Sequence, residues 1–410
     1  MAPSVIESVA PAVDAVKQKI VPVVEEEEVK KAGNNDKDSD SNSDSDSTPK
    51  LETNHRQPLK LSGALDQFKH FDVTPVIGRE YVDVDLAEWL RAPNSDELLR
   101  DLAITISRRG VVFFRKQDNI TNDLQKELVQ RLGQLSGKPA SSGLHIHPVI
   151  NASRDRGGND HEISVISSVL NRKLYKRLGP HNNNNGKSGS NFFARQQQSR
   201  RQEWHSDITF EPIPSDYALL RLTELPSTGG DTLWASGYEV YDRISAPVQR
   251  FLESLTSYCA QPSFNAAAED NGFEIFAGPR GSPLNVGSVL EAHHPVVRTN
   301  PVTGWKSVFA VGTHVKRIDG LAEEESRKVL DWFVDLVVEN HDLQVRNRWQ
   351  SVNDLAIWDN RSVYHAATPD YHEVFGERTG SRAVSLGERP YFDPASTGRR
   401  EALAKEGAVL

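Results

Sequence analysis

From Leu59 onward the chain alternates between long apolar stripes and short apolar runs, and the two textures predict different elements. Leu98, Leu99, Leu102 and Ile106 recur at helical spacing behind Asn94 and Ser95, either of which can cap a helix. Gly110 follows as a stop, and Val111–Phe114 (VVFF) reads as a buried strand. A second helix is predicted from about Asn122, with Leu124, Leu128, Leu132 and Leu135 on one stripe. A third, Glu323 to Glu339, carries Val329, Leu330, Trp332, Phe333, Leu336 and Val337. The remaining runs (DYALLRLTEL, HHPVVRT, SVFAV, LQVRNRW, LAIWD and RAVSLG) are short, strand-like and separated by turn residues. Many short strands with few helices predict a mainly β chain, a sheet sandwich or jelly roll.

Before Leu59 the texture is different. Glu25 to Thr53 has almost no large apolar side chain, so it cannot bury enough surface to offset its ordering entropy. Residues 1–58 are expected to be a disordered acidic tail, 59–397 one domain, and 398–410 a C-terminal tail. The Ser-Asp repeats suit a solubilising segment, or substrates for an acid-directed kinase. His181 to Ser199, rich in Asn, Gly and Gln, reads as a long insertion loop. No repeat of 20–50 residues is present.

Charge narrows the partners. The net charge is -9, and residues 1–50, with eleven acidic and six basic side chains, hold about -5 of it. The rest of the chain is close to balanced and lacks the basic footprint that nucleic acid requires. No stretch approaches the roughly 18 apolar residues of a membrane span. Glu7 and Asp14, with breaks at Pro11 and Pro22, are unlike a secretory signal. The single cysteine, Cys259, excludes an intrachain disulfide and a cysteine-rich metal site. A cytoplasmic location is expected, and a homo-oligomer is compatible with the chain.

The chemistry begins with histidine. A His-x-Asp pair on a strand puts two metal ligands on one side. Thirteen histidines and 57 acidic residues in 410 predict about two His-x-acid pairs by chance, and the chain has two, at His70/Asp72 and His205/Asp207. His70 has no companion motif and reads as structural. His205 stands in EWHSDITFEPIPSDYALLRLTELPSTGGDTLWASG, which is followed by HPVVRTNPVTGWKSVF, IWDNRSVYHAATPDY and ERTGSRAVSLGERP. In order and spacing, from about Val73 to Pro390, these blocks resemble the taurine dioxygenase family of iron(II)- and 2-oxoglutarate-dependent oxygenases.

The resemblance implies a double-stranded β-helix (jelly roll) core with helical insertions. It implies an Fe(2+) site made of His205 and Asp207 on one strand and His365 on the loop after Trp358-Asp359. 2-Oxoglutarate would chelate the metal, with Arg378 and Thr232 on its distal carboxylate; arginine offers the planar double donor that lysine lacks. Arg382, His147 and the backbone N–H of Ile208 would hold a small anionic substrate. Trp204 and Phe210 would shape the wall, and His145 is left without a role. O2 and 2-oxoglutarate would be consumed, succinate and CO2 released, and an alkyl sulfonate hydroxylated beside sulfur would then release sulfite.

The chain departs from the family pattern at several points: Asn300 replaces the second histidine of the HPVVR block, an insertion (PASSG) precedes LHIHPV, and the Asn-rich loop lies just before the His205 block. His314 stands where a phenylalanine is usual, and Arg201 precedes His205 by four residues. The cosubstrate half of the site thus matches better than the substrate half. An alkyl sulfate ester, an aryloxy acid or another small anion stays open as substrate. From other classes, so do a non-catalytic metal-binding module and a zinc hydrolase, although the latter leaves Arg378 and Thr232 unexplained.

Overall fold

The run VVFF is apolar without alternation because the sheet it joins is covered on both faces. Val112, Phe114, Tyr217, Leu219, Leu355, Ile357 and Ala383 pack with the helices Ser95–Arg109 and Asn122–Leu135. Their neighbours Val111, Phe113, Ala218, Leu220, Ala356, Trp358 and Val384 face the other way, into a second core with Trp234 and Val363. Successive strand residues point to opposite faces, so one sheet builds two cores.

This is a computed structural model; it describes residues 57–149, 160–174, 199, 201–371 and 375–407. They belong to a compact unit, Thr53–Leu410. The large sheet has seven strands in the order His70–Asp72, Arg79–Tyr81, Val111–Phe114, Leu355–Asp359, Ser215–Glu224, Thr379–Leu386 and Ile163–Ser167. A three-stranded sheet, Gln344–Asn347, Thr232–Ser236 and Val363–Ala367, lies across the inner core, where Trp234 meets Phe113 and Trp358 at ring distances of 5.4 and 5.8 Å. The protein is mostly sheet with helices.

The three long helices form where the stripes place them, at Ser95–Arg109, Asn122–Leu135 and Glu323–Val338. Gly110 ends the first at φ 75°, and Thr121 caps the second by accepting from the Leu124 N–H at 3.2 Å. Helices are more numerous than the sequence pattern predicts. Six shorter ones join them among the described residues, including Ala246–Glu253 and Pro262–Asn271. Segments of 6–10 residues are too short to show a full apolar stripe.

The expected C-terminal tail is corrected. Arg399–Lys405 is a helix, and buried Arg399 donates to Glu239 Oε1 at 2.7 Å. Two ion pairs to a distant acid hold it, which periodicity cannot reveal. At the other end, Gln57 and Pro58 line a cavity of about 880 Å³ with Arg108, Trp305 and Tyr391, and the Leu59 N–H donates to the Val302 carbonyl. Residues 1–56 and most of the Asn-rich insertion, 181–198, lie outside the described residues.

Candidate active site

His205 and His365 are bound backbone to backbone. The His205 N–H donates to the His365 carbonyl at 3.1 Å, and the His365 N–H returns a bond of 2.8 Å. Such a doubly bonded antiparallel pair fixes both Cβ directions, and the two imidazoles lie 4.3 Å apart. Gly312 forms a second bridge on the far side of His205. With φ 106°, its missing side chain is required, because a Cβ there would stand 2.4 Å from the Trp204 carbonyl oxygen and 2.6 Å from His205 Cα.

Two expected placements are corrected. His365 is inside the strand Val363–Ala367 and not on a loop, registered opposite Trp234. His205 and Asp207 do not share a strand: only His205 is bridged, to His365 on one side and Gly312 on the other, and the chain turns from Asp207. Ile208 causes the break, at φ 64°, an outlying conformation for a β-branched residue. Its carbonyl accepts from the Glu211 N–H at 3.0 Å, closing the turn, and its own N–H has no partner among the described residues.

The turn still returns Asp207 to the histidines. One ligand atom from each of His205, Asp207 and His365 lies within 4.8 Å of the other two. His205 Nδ1 donates to the Glu203 carbonyl at 2.8 Å, which leaves Nε2 as the ligand nitrogen. His205 Nε2 is 3.9 Å from Asp207 Oδ1, and His365 Nε2 is 3.9 Å from Oδ2. Burial pushes the His365 imidazole down to about 3. Burial alone would raise the Asp207 carboxyl, but Arg382, then His365 and His205, outweigh it and hold the group below the usual range. Two imidazoles and an ionised carboxylate converging on one point are a metal donor set. Asp207 Oδ1 accepts from Arg382 Nη1 at 2.8 Å, while buried Oδ2 has no hydrogen-bond partner among the described residues. An orphaned carboxylate oxygen beside two imidazoles fits a divalent cation.

Asn360, which the reading of the residues did not assign a role, holds this turn. Its Oδ1 accepts from the Asp207 N–H at 3.2 Å and from Trp358 Nε1 at 2.9 Å, and its Nδ2 donates to Ser215 Oγ at 2.9 Å. Asp359 beside it pairs with Arg361 and accepts from Asn300 Nδ2 at 2.9 Å. The signal was the quoted W-D-N-R block itself, in which each polar member has a buried partner.

The two arginines occupy different environments. Arg378 donates from Nε to the Gly230 carbonyl at 2.9 Å and from Nη2 to Thr232 Oγ1 at 3.2 Å. Buried arginines normally face acids, and Arg280, Arg298, Arg361 and Arg399 pair with Glu211, Glu388, Asp359 and Glu239. Arg378, 5% exposed, makes no ion pair among the described residues. A desolvated cation without an anion is costly, so this guanidinium fits an incoming carboxylate.

Arg382 faces the inner core with Val384, next to Asp207. His147 is buried nearby and accepts at Nδ1 from the Val149 N–H at 3.1 Å. Arg201 takes no part: it pairs with Asp335 at 2.8 Å, on the helix Glu323–Val338. His70 is also remote, on an exposed edge strand with Nδ1 donating to the Phe68 carbonyl.

A sequence model of the family described as "Taurine catabolism dioxygenase TauD, TfdA family" matches residues 69–384. The chain belongs to this family. It is 54% identical over 356 residues, covering 85% of this chain and 98% of the relative, to an alpha-ketoglutarate-dependent dioxygenase, btcD, of Neocamarosporium betae. It is 31% identical over 309 residues, 75% of this chain and 68% of the relative, to a putative alpha-ketoglutarate-dependent sulfonate dioxygenase of Schizosaccharomyces pombe. The crystal structure of a putative alpha-ketoglutarate-dependent taurine dioxygenase from Burkholderia xenovorans shares the fold, with a TM-score of 0.56 at 22% identity, over 80% of this chain and 93% of that one. This TauD/TfdA-family member is therefore an enzyme, a 2-oxoglutarate-dependent dioxygenase that uses 2-oxoglutarate, O2 and a small substrate.

Proposed function

We propose that this dioxygenase holds iron(II) through His205 Nε2, Asp207 and His365 Nε2, and hydroxylates a small organic anion, foremost an alkyl sulfonate. Arg378 and Thr232 bind the distal carboxylate of 2-oxoglutarate. Arg382, His147 and the Ile208 N–H take the acid group of the primary substrate. The seven-stranded and three-stranded sheets are read as the two halves of a double-stranded β-helix, with the triad at its open end. The observation that carries the assignment is Arg378, a buried guanidinium without an acid, bonded to Thr232 on the strand that pairs with that of His365.

Bound iron(II) would supply oxygen activation coupled to decarboxylation of 2-oxoglutarate to succinate. The protein supplies position and dryness. Arg382 takes one Asp207 oxygen and leaves the other for the metal. Trp204 and Phe210, both buried, exclude water on either side of the His205–Asp207 turn. The sulfonate preference leans on the Schizosaccharomyces pombe relative; the name of the Neocamarosporium betae relative specifies only the cosubstrate. The same chemistry on a sulfate ester or aryloxy acid is the second reading, favoured by the substitution of His314 at the substrate wall.

The test is succinate formation with iron(II), 2-oxoglutarate and a panel of sulfonates, sulfate esters and aryloxy acids, read with oxygen consumption. Iron-dependent turnover that disappears in His205→Ala, Asp207→Ala and His365→Ala, and survives in His70→Ala, is expected. Full activity in any triad variant overturns the metal assignment; sulfite release distinguishes the sulfonate reading.

A further inference from the structure

Two imidazoles beside this site are given no hydrogen-bonding role by the proposed function. His314 is 7% exposed and its Nδ1 has no hydrogen-bond partner among the described residues; His145 is 1% exposed and neither ring nitrogen has one. For His145 the nearest acid is Glu211, with Oε1 4.0 Å from Nε2, and that carboxylate is already engaged by both Nε and Nη2 of Arg280. Leaving a buried polar group unpaired is destabilising, so its presence needs an explanation.

Their position supplies one. Ring contacts run continuously from His314 to Phe210 at 5.1 Å, Phe210 to Phe264 at 5.5 Å, Phe264 to His147 at 5.0 Å and His147 to His145 at 6.2 Å. One end of this arc touches the metal triad, with the His314 ring 5.9 Å from that of His205. The other end, His145 and His147, lies near Arg382, whose guanidinium is itself bonded to Asp207 of the triad at 2.8 Å. The arc thus starts and finishes beside the triad, with polar groups at both ends and Phe210 and Phe264 between them. His314 is outside the cluster whose ligand atoms converge, so it is not a fourth ligand in this arrangement. Gly312, two residues earlier, is bridged to His205 at close approach and so brings this loop against the triad.

We propose that the primary substrate is a bifunctional acid: besides the acid group held near Arg382, it carries a hydroxyl or carbonyl that His314 binds beside the metal triad, with an apolar body along Phe210 and Phe264. This rests on the proposed function and narrows its substrate class. Pockets of this kind are mostly apolar with few convergent polar groups that fix orientation. A site built to hydrogen-bond a group rejects the analogue lacking it far more strongly than an apolar wall rejects an extra methylene. His314 is therefore a specificity-determining residue.

The experiment is anaerobic calorimetry on the full chain loaded with iron(II) and 2-oxoglutarate. The probes are matched pairs with and without a terminal hydroxyl or carbonyl, namely butane-1-sulfonate and 4-hydroxybutane-1-sulfonate and the corresponding sulfate-ester and carboxylate pairs. In at least one acid series the bifunctional partner should bind about tenfold or more tighter to the wild type. His314→Phe should abolish that preference while changing the affinity for the plain partner and for 2-oxoglutarate less than threefold; His314→Leu provides the same comparison if the phenyl ring unfolds the loop. No preference in any series, or a preference that survives loss of the imidazole, overturns the proposal. The acid series that binds best tests the sulfonate reading separately, since a carboxylate pair can show the preference where the sulfonate pair does not bind.

Discussion

Arg378 Nη2 donates to the Thr232 hydroxyl at 3.2 Å across 146 residues of sequence, and Trp349 Nε1 donates to the same oxygen at 3.1 Å. A hydroxyl that accepts twice has one proton left to give. Beside a buried guanidinium lacking an ion pair among the described residues, that proton would complete the carboxylate-binding corner proposed for 2-oxoglutarate.

Arg378→Ala should raise the concentration of 2-oxoglutarate needed for half-maximal succinate release by roughly 30- to 1,000-fold, the loss of a charge-assisted pair worth about 2–4 kcal/mol. Thr232→Val, losing a neutral bond of about 1 kcal/mol, should cost roughly fivefold. A change confined to the primary substrate would move Arg378 to the other half of the site.

Arg382 is bonded to Asp207, the carboxylate proposed to hold the metal, so its loss should be felt twice. Arg382→Ala should weaken the primary substrate and also lower metal affinity by about 10- to 100-fold, as loss of a ligand's supporting partner does. Metal titration without substrate isolates the second effect. Unchanged metal affinity would show that the bond to Asp207 does not orient it.

Gly312→Ala forces a Cβ into the backbone of Trp204 and His205 at a φ of 106°. The expected cost is at least about 2 kcal/mol of stability, with displacement of His205 and loss of metal binding. Chemical denaturation and metal titration measure the two; a variant that melts and binds metal like the wild type would contradict the close approach.

His294 Nε2 donates to the Thr209 carbonyl at 2.9 Å, and burial lowers its pKa to about 3. The unfolded imidazole, near 6.5, takes up a proton that the folded one refuses, so stability is full above about 6.5 and falls as pH drops from there toward 3. His294→Gln should reduce the slope of unfolding free energy against pH by about 1.4 kcal/mol per unit between pH 6 and 4. Urea unfolding at several pH values reads it, and equal slopes for both proteins would contradict it.

A chain beginning at Thr53 is expected to keep the activity and melting temperature of the full chain. One beginning at Leu61 removes Gln57, Pro58 and the Leu59 bond to Val302, and should melt lower. A drop already at Thr53 would show that the acidic segment contributes to the fold.

Much of this protein was legible in one dimension. The three apolar stripes became the three long helices because a 3.6-residue period needs only one buried side to take effect. Motif blocks name His205, Asp207, His365, Thr232 and Arg378; the structure gathers the first three into one cluster and bonds the last two to each other. Short helices and the Arg399 ion pair were not legible, because what holds them lies far away in sequence.

The sequence determined which donors the site would contain; folding decided how they share it. Motifs list His205, Asp207 and His365, but only the paired backbones of His205 and His365, and the left-handed turn at Ile208, put three ligand atoms within reach of one ion. Both arginines stand in one R-x-x-x-R block, yet one meets Thr232 and no acid while the other meets Asp207. His314 was visible as a departure, but that it turns an unpaired nitrogen beside the triad depends on Gly312 contacting a residue more than a hundred positions earlier. Such contacts are long-range packing outcomes, and packing is set by which surfaces meet, a property no local spacing contains.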